Sequence, residues 1–208
     1  MIYEQGGATN GLNLYIDNNN LYANIWDNSI EAFELVGISA NTEYIFSFVY
    51  DGSVPRWDGY LNGDLVMTST TVESLISSHT GLIGLGVINN DTQFNGQIDV
   101  ASGEEFSGSI MAMSYYNVVL STADRLKIET SFAAEYGITY SQNYTTTNSV
   151  AVWDPSTNAT YQNDVAVIGR DGLGGFLQKQ SQSVSADALF TIGLGTIAAD
   201  NASNSNTF

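Results

Sequence analysis

Two kinds of side chain in this sequence are equipped for chemistry: aromatic rings beside polar groups, and turns dense in oxygen. In SVPRWDGYLNG, Trp57 and Tyr60 stand next to Arg56 and Asp58. Sugars stack their apolar C–H faces on exposed rings while adjacent polar groups fix orientation, so these four residues form a candidate ligand-binding set. The competing reading puts Trp57, Gly59 and Leu61 on one strand face, with Trp57 in the core. Trp26, in LYANIWD, and Trp153, in VAVWDP, read as buried. The turns Asp17–Asn20, Asn89–Asp91 and Asn95–Asp99 offer carboxylates and amide carbonyls, which calcium collects in sets of about six to eight. Asp17, Asn89, Asp91 and Asp99 are the candidate metal ligands and calcium the candidate cofactor. The competing reading is that these Asn and Asp residues simply form turns.

Catalytic patterns are missing. Retaining glycan hydrolysis needs two carboxyl groups about 5–5.5 Å apart. Glu31 and Glu34 are out of phase along one strand, and the adjacent Glu104 and Glu105 point to opposite faces. No Gly-x-Ser-x-Gly elbow occurs, and His79, in the polar run SSHT, reads as a surface histidine. Gly172–Gly175 has no following Lys-Ser/Thr, so it reads as a turn rather than a phosphate cradle. The chain has no cysteine, which excludes disulfides, thiolate zinc sites and cysteine nucleophiles. The expectation is a protein that is not an enzyme.

Charge narrows the partners. Five Lys and Arg face 22 Asp and Glu, for a net charge of −17 over 208 residues. Nucleic-acid binding needs clustered bases to neutralise phosphates, and an anionic membrane surface needs the same, so neither is expected. No apolar run approaches the roughly 20 residues of a membrane span. A hydrophobic content of 43% is that of a folded chain, and such acidity suits an extracellular protein in a salty medium that screens self-repulsion. Met1 leads straight into Ile2-Tyr3, which reads as a strand without a leader, so the chain reads as a piece of something larger.

The elements that would position these groups are mostly strands. Leu12–Asp17 and Leu21–Asp27 flank Asn18-Asn19-Asn20, a hairpin. Thr42–Asp51 alternates aromatic and β-branched residues, and Asp58–Leu61 joins Leu65–Ser69 through Asn62-Gly63-Asp64. The glycines of Gly81–Asn89 predict a strand with close backbone approach. Phe106–Asn117 alternates with a period of two and predicts an outer strand. A helix follows, with Ser121 as N-cap, Asp124 in its first turn, an apolar stripe of Ile128, Phe132 and Tyr136, and Gly137 as a left-handed stop. Beyond the polar link Ser141–Asn148, short strands are expected at Ser149–Trp153, Val165–Arg170, Phe176–Val184 and Leu189–Leu194.

The segment FSGSIMAMSYYNVVLSTADRLKIETSFAAEYGIT (106–139) resembles the end of a laminin-G-like (concanavalin A-like) jelly-roll module of bacterial surface proteins. There a final strand ends in "YN..LS" and a helix in "YGIT". TEYIFSFVYDGS followed by WDGYLNGDLV looks like the "…YDG" strand and "…Y.NG" hairpin of the same pattern. VWDPSTNATYQNDVAVIGRDGLGGFLQKQSQSV is similar to an uncharacterised module that follows such units in large bacterial surface proteins and adhesins, with Val167 where a Gly is more usual. The resemblance implies an all-β fold: a jelly-roll β-sandwich over 1–140 with one C-terminal helix, then a smaller β appendage over 141–208, incomplete at its end. It implies a non-enzymatic adhesion or carbohydrate-binding module at the cell surface, with a glycan or host surface ligand as partner. The glycan hydrolases of that superfamily carry a Glu-x-Asp-x-x-Glu run, which is absent here. The jelly roll also lacks its first strands, so self-association through an exposed sheet edge is expected. The alternative is a structural assembly subunit, a filament, stalk or virion component, without a small ligand.

Overall fold

The computed structural model describes residues 1–27, 30–72, 76–88, 91–94, 97–99, 104–172, 176–183, 190–197 and 203, with the backbone alone at 30–35 and 97–99. Antiparallel strands predominate and one α-helix is present, as expected. Among the described residues the sheets close into no barrel. The chain forms two compact units. The first comprises Met1–Thr42, Phe48–Gly59 and Leu65–Val119; the second comprises Glu43–Ser47, Tyr60–Asp64 and Leu120–Phe208.

In the first unit, β1 (Tyr3–Gly6), β2 (Asn10–Asp17), β3 (Asn20–Asp27) and β4 (Ile30–Gly37) form an antiparallel meander. Asn18 and Asn19, at φ 48° and 64°, make the two-residue turn between β2 and β3 that the Asn run predicts. β5 (Phe46–Asp51), β6 (Arg56–Leu61) and β7 (Asp64–Ser69), of which all but 46–47, 60–61 and 64 belong to this unit, make a three-stranded sheet. Asn62 and Gly63 (φ 48° and 94°) turn β6 into β7. β8 (Ile83–Leu85) then pairs antiparallel with β1, giving the sheet order β4-β3-β2-β1-β8. Its glycines act as expected: a Cβ on Gly81 or Gly84 would collide with the carbonyl oxygen of Gly6 or Val87. β9 (Thr92–Phe94) and β10 (Gln97–Asp99) form a separate short hairpin. Trp26 is buried, and its indole donates to the Gly7 carbonyl at 2.8 Å. A small core gathers Met1, Tyr15 and Ile88 with Tyr22 and Phe94, and Tyr15 stacks on Tyr22 at 5.1 Å between ring centres.

One expected strand is absent. Phe106–Asn117 joins no sheet. Alternation specifies a strand only where one of its faces is covered. Here Met111, Met113 and Tyr115 are exposed on one phase, and so are Ala112, Ser114 and Tyr116 on the other.

The second unit is built on α1 (Thr122–Tyr136). Ser121 caps it by accepting from the Asp124 amide at 3.1 Å and donates its own hydroxyl to the Asp124 carboxylate at 2.6 Å. Gly137 ends it at φ 70°, and Ile138 folds back to the Ala133 carbonyl at 3.0 Å. The face it buries differs from the expected stripe. Arg125, Glu129, Thr130, Ala133 and Ala134 are inside, while Ile128, Phe132 and Tyr136 are half-buried. A buried ion pair on that face, described below, turns the helix this way.

After the helix come three two-stranded pairs: β11 (Tyr144–Thr145) with β12 (Ala151–Trp153), β13 (Gly169–Asp171) with β14 (Phe176–Gln178), and β15 (Gln180–Gln182) with β16 (Thr191–Gly193). The Asp171-Gly172 turn signal sits between β13 and β14, and 173–175 lie outside the described residues. The core of the unit is Ile45, Ala133, Ile138, Tyr140 and Tyr144, with Trp153, half-buried, packed against it. Residues on both sides of the expected 140/141 boundary thus share one cluster.

Candidate functional site

The aromatic and polar set at 56–60 is consecutive on β6 but divided in environment. Trp57 is 3% exposed, with the rings of Phe48 and Tyr50 5.7 and 6.1 Å away. Its faces are covered by those rings, the core alternative read from the strand phase. Arg56 keeps 44% of its side chain exposed and donates through Nε to Asp58 at 2.8 Å. Thr68 donates to the other Asp58 oxygen at 2.7 Å. Tyr60 belongs to the second unit, where the Arg125 guanidinium lies 3.6 Å above its ring.

The rim residues are scattered. Asp17 ends β2 and accepts from the Asn18 amide at 3.2 Å. Asp91 is half-exposed just before β9. Asn89 lies outside the described residues, and Asp99 is placed only as a backbone position in β10. Among the described residues, no three His, Cys, Asp or Glu side chains converge. His79 sits with Nδ1 3.2 Å from the Gly81 carbonyl and Nε2 3.5 Å from the Gln5 amide nitrogen.

The most concentrated buried polarity of the first unit lies elsewhere. Register sets Glu4 opposite Asn13 and Asn13 opposite Asn24, a row across β1, β2 and β3 on one sheet face. Their exposures are 0%, 1% and 0%. β9 covers them. The Asn13 amide nitrogen donates to the Thr92 hydroxyl at 2.9 Å and to the Gln93 carbonyl at 2.5 Å, and Asn24 donates to that same carbonyl at 3.2 Å. The Gln93 side chain donates to the Ala8 carbonyl at 3.3 Å. Every amide nitrogen of the row is thereby used. The oxygens are not: Asn13 Oδ1, Asn24 Oδ1 and Gln93 Oε1 are buried and receive no hydrogen bond. Each such acceptor costs about 1–3 kcal/mol if left so. Gly84, opposite Glu4 on β8, has to be glycine, because a Cβ there would collide with the Val87 carbonyl oxygen; Glu4 Oε1 would also lie 3.0 Å away. Sequence reasoning missed this row. In LNLYID and LYANIW an Asn between apolar residues reads as solvent-facing, and only the register of three strands aligns the two with Glu4.

The second unit holds a buried ionic network. Arg125 bonds both carboxylate oxygens of Glu129 at 2.6 and 2.7 Å, and Tyr140 donates to Glu129 at 2.8 Å. Burial first, and the Glu129 carboxylate second, push the Tyr140 hydroxyl well above its ordinary range, so it stays a donor. The turn at Asn62 is fastened to the same unit. Asn62 Oδ1 accepts from the Ile45 amide at 2.8 Å, and its carbonyl accepts from the Ser141 amide and hydroxyl at 3.0 and 2.8 Å.

Residues 124–208 are similar to a domain of unknown function (DUF8202), a match that takes in Arg125, Glu129 and Tyr140. No curated protein and no solved structure matches the chain. Among the described residues, no helix is long and apolar enough to cross a membrane, which leaves membrane crossing by strands unaddressed.

Proposed function

We propose that this chain is a non-enzymatic, extracellular carbohydrate-binding or adhesion module of a bacterial surface protein, on a jelly-roll-like β framework. The observation that supports it best is the presentation of Tyr115 and Tyr116, 64% and 46% exposed, flanked by the polar Ser114 and Asn117. Open rings beside hydrogen-bonding side chains are what a sugar face requires. Arg56 and Asp58 supply further polar contacts on β6, and calcium at Asp17, Asn89, Asp91 and Asp99 remains part of this reading at the loop rim. A glycan array, run with calcium and with chelator, tests it. Binding that falls at least tenfold in Tyr115→Ala/Tyr116→Ala supports the reading; silence across diverse glycans in both conditions defeats it.

A second reading, an assembly subunit, is favoured by apolar exposure on an edge strand. Leu82, Ile83 and Leu85 are exposed along and beside β8. Light scattering over a concentration series separates the two, because a subunit assembles as concentration rises and a monomeric glycan binder does not.

A further inference from the structure

We propose that Asn62 is a modification site gated by folding: its carboxamide deamidates through a cyclic imide when the second unit stays open, and is held unreactive while that unit is closed. Asn62 precedes Gly63, and the turn needs both residues. They sit at φ 48° and 94°, the left-handed pair that favours Asn-Gly in a two-residue hairpin. A Cβ at position 63 would lie 2.6 Å from the Tyr140 ring and 2.7 Å from the Gln142 side chain, so glycine is obligatory. That dipeptide carries its own reagents. The Gly63 backbone nitrogen, with no Cβ beside it, gives up its proton to a base in solution and attacks the Asn62 Cγ. The imide ring forms and ammonia leaves. Water then opens the ring at either carbonyl, giving aspartate or, with the main chain rerouted through the side chain, isoaspartate.

In the folded unit this attack is opposed by four hydrogen bonds to one residue. The Asn62 amide donates to the Ile45 carbonyl at 2.9 Å, and its side-chain oxygen accepts from the Ile45 amide at 2.8 Å. Its carbonyl accepts from the Ser141 amide at 3.0 Å and from the Ser141 hydroxyl at 2.8 Å. A planar imide fixes the torsion about Cα–C far from its value in a left-handed turn. Closure therefore swings the Asn62 carbonyl away from Ser141 and takes the side chain from Ile45. Gly63 is itself buried, which keeps the base away from its amide. Reaction must draw on the open population, so its rate follows the equilibrium between closed and open forms. The products have unequal consequences. Aspartate keeps an oxygen for the Ile45 amide. Isoaspartate lengthens the main chain by one carbon at the turn, and the Ile45 and Ser141 fastenings no longer fall in register. A prolonged opening is thereby made permanent.

The test holds the full chain at mildly alkaline pH, in buffer and in urea above its unfolding midpoint. Peptide mapping by mass spectrometry separates Asn62 from the other Asn-Gly pairs, Asn10-Gly11 and Asn95-Gly96. Asn62 should gain one dalton at least about tenfold faster in urea than in buffer, with isoaspartate among the products. In buffer, Arg125→Ala should speed conversion at least about tenfold, because it opens the second unit through the bonds to Glu129. A variant that never folds converts at the urea rate and meets the same expectation. After urea is removed, wild-type chain that was held unfolded should regain less native circular dichroism the longer it waited. Asn62→Asp keeps the Ile45 acceptor, and its carboxylate resists ring closure, so it should lose less over the same wait. Equal conversion in buffer and urea, an unchanged rate in Arg125→Ala, or equal refolding losses in wild type and Asn62→Asp would each overturn the proposal. It stands apart from the glycan reading, and silence on the array leaves it untouched.

Discussion

Arg125 and Glu129 are the pair on which the helix orientation turns. The two are 7% and 1% exposed, on the face of α1 that packs inward, with Tyr60 and Tyr140 completing the surround. A buried pair contributes little beyond what apolar residues would, but removing one member strands the other. Arg125→Ala should therefore lower stability by about 3–5 kcal/mol in urea unfolding, and Arg125→Met/Glu129→Leu should recover most of that loss. Tyr144 offers a pH test. Burial pushes its hydroxyl up to about 12, from an ordinary value near 10. The unfolded state thus loses the proton first, the folded state holds more protons above pH 10, and stability falls as pH rises. The contribution is complete below about pH 10 and lost by about pH 12, a loss of roughly 3 kcal/mol. Denaturation followed by circular dichroism across that interval should show the decline, and Tyr144→Phe should make it shallower, the remainder coming from Tyr140, whose hydroxyl is also raised.

At the level of elements, local signals carried the farthest. Ser121→Ala should cost about 1 kcal/mol in thermal or urea unfolding, since it removes the acceptor for the Asp124 amide and leaves a first-turn N–H open. That cap, the Gly137 stop, and the Asn18-Asn19 and Asn62-Gly63 turns could be read from the sequence, because each is decided within about four residues by backbone conformation. Signals that depend on what lies opposite could not. The alternation of 106–117 predicts a strand, yet residues 111–117 are exposed on both phases. The Ile128, Phe132 and Tyr136 stripe is the more apolar one, yet Glu129 brings Arg125 inward against Tyr60. Asn13 and Asn24 acquire their meaning only when β1, β2, β3 and β9 meet. In the candidate ligand set, strand phase already offered Trp57 as a core residue; that Phe48 and Tyr50 are the rings beside it is a contact between strands that spacing alone does not reveal.

For the molecule as a whole, the second unit is assembled from three separate stretches of chain. Ile45 contributes to its core, and Asn62 holds Ile45 on one side and Ser141 on the other. Gly63 is closed over by Tyr140, whose ring would lie 2.6 Å from a Cβ there. A fragment of residues 120–208, which contains the whole DUF8202 match, lacks Ile45, Asn62 and Gly63. Expressed alone it should show no cooperative thermal transition by circular dichroism, whereas the full chain should. The bonds between Asn62 and Ser141 span 79 positions. On the ribosome, the Asn62 hairpin emerges long before its fastenings exist, and must wait while the first unit's remaining strands and the entire helix are translated. Closing so long a loop carries an entropic cost that short-range pairs avoid, which places this step late and makes it slow. In that interval Ile45 has no core to enter, and a chaperone that shields nascent apolar segments would find its target there.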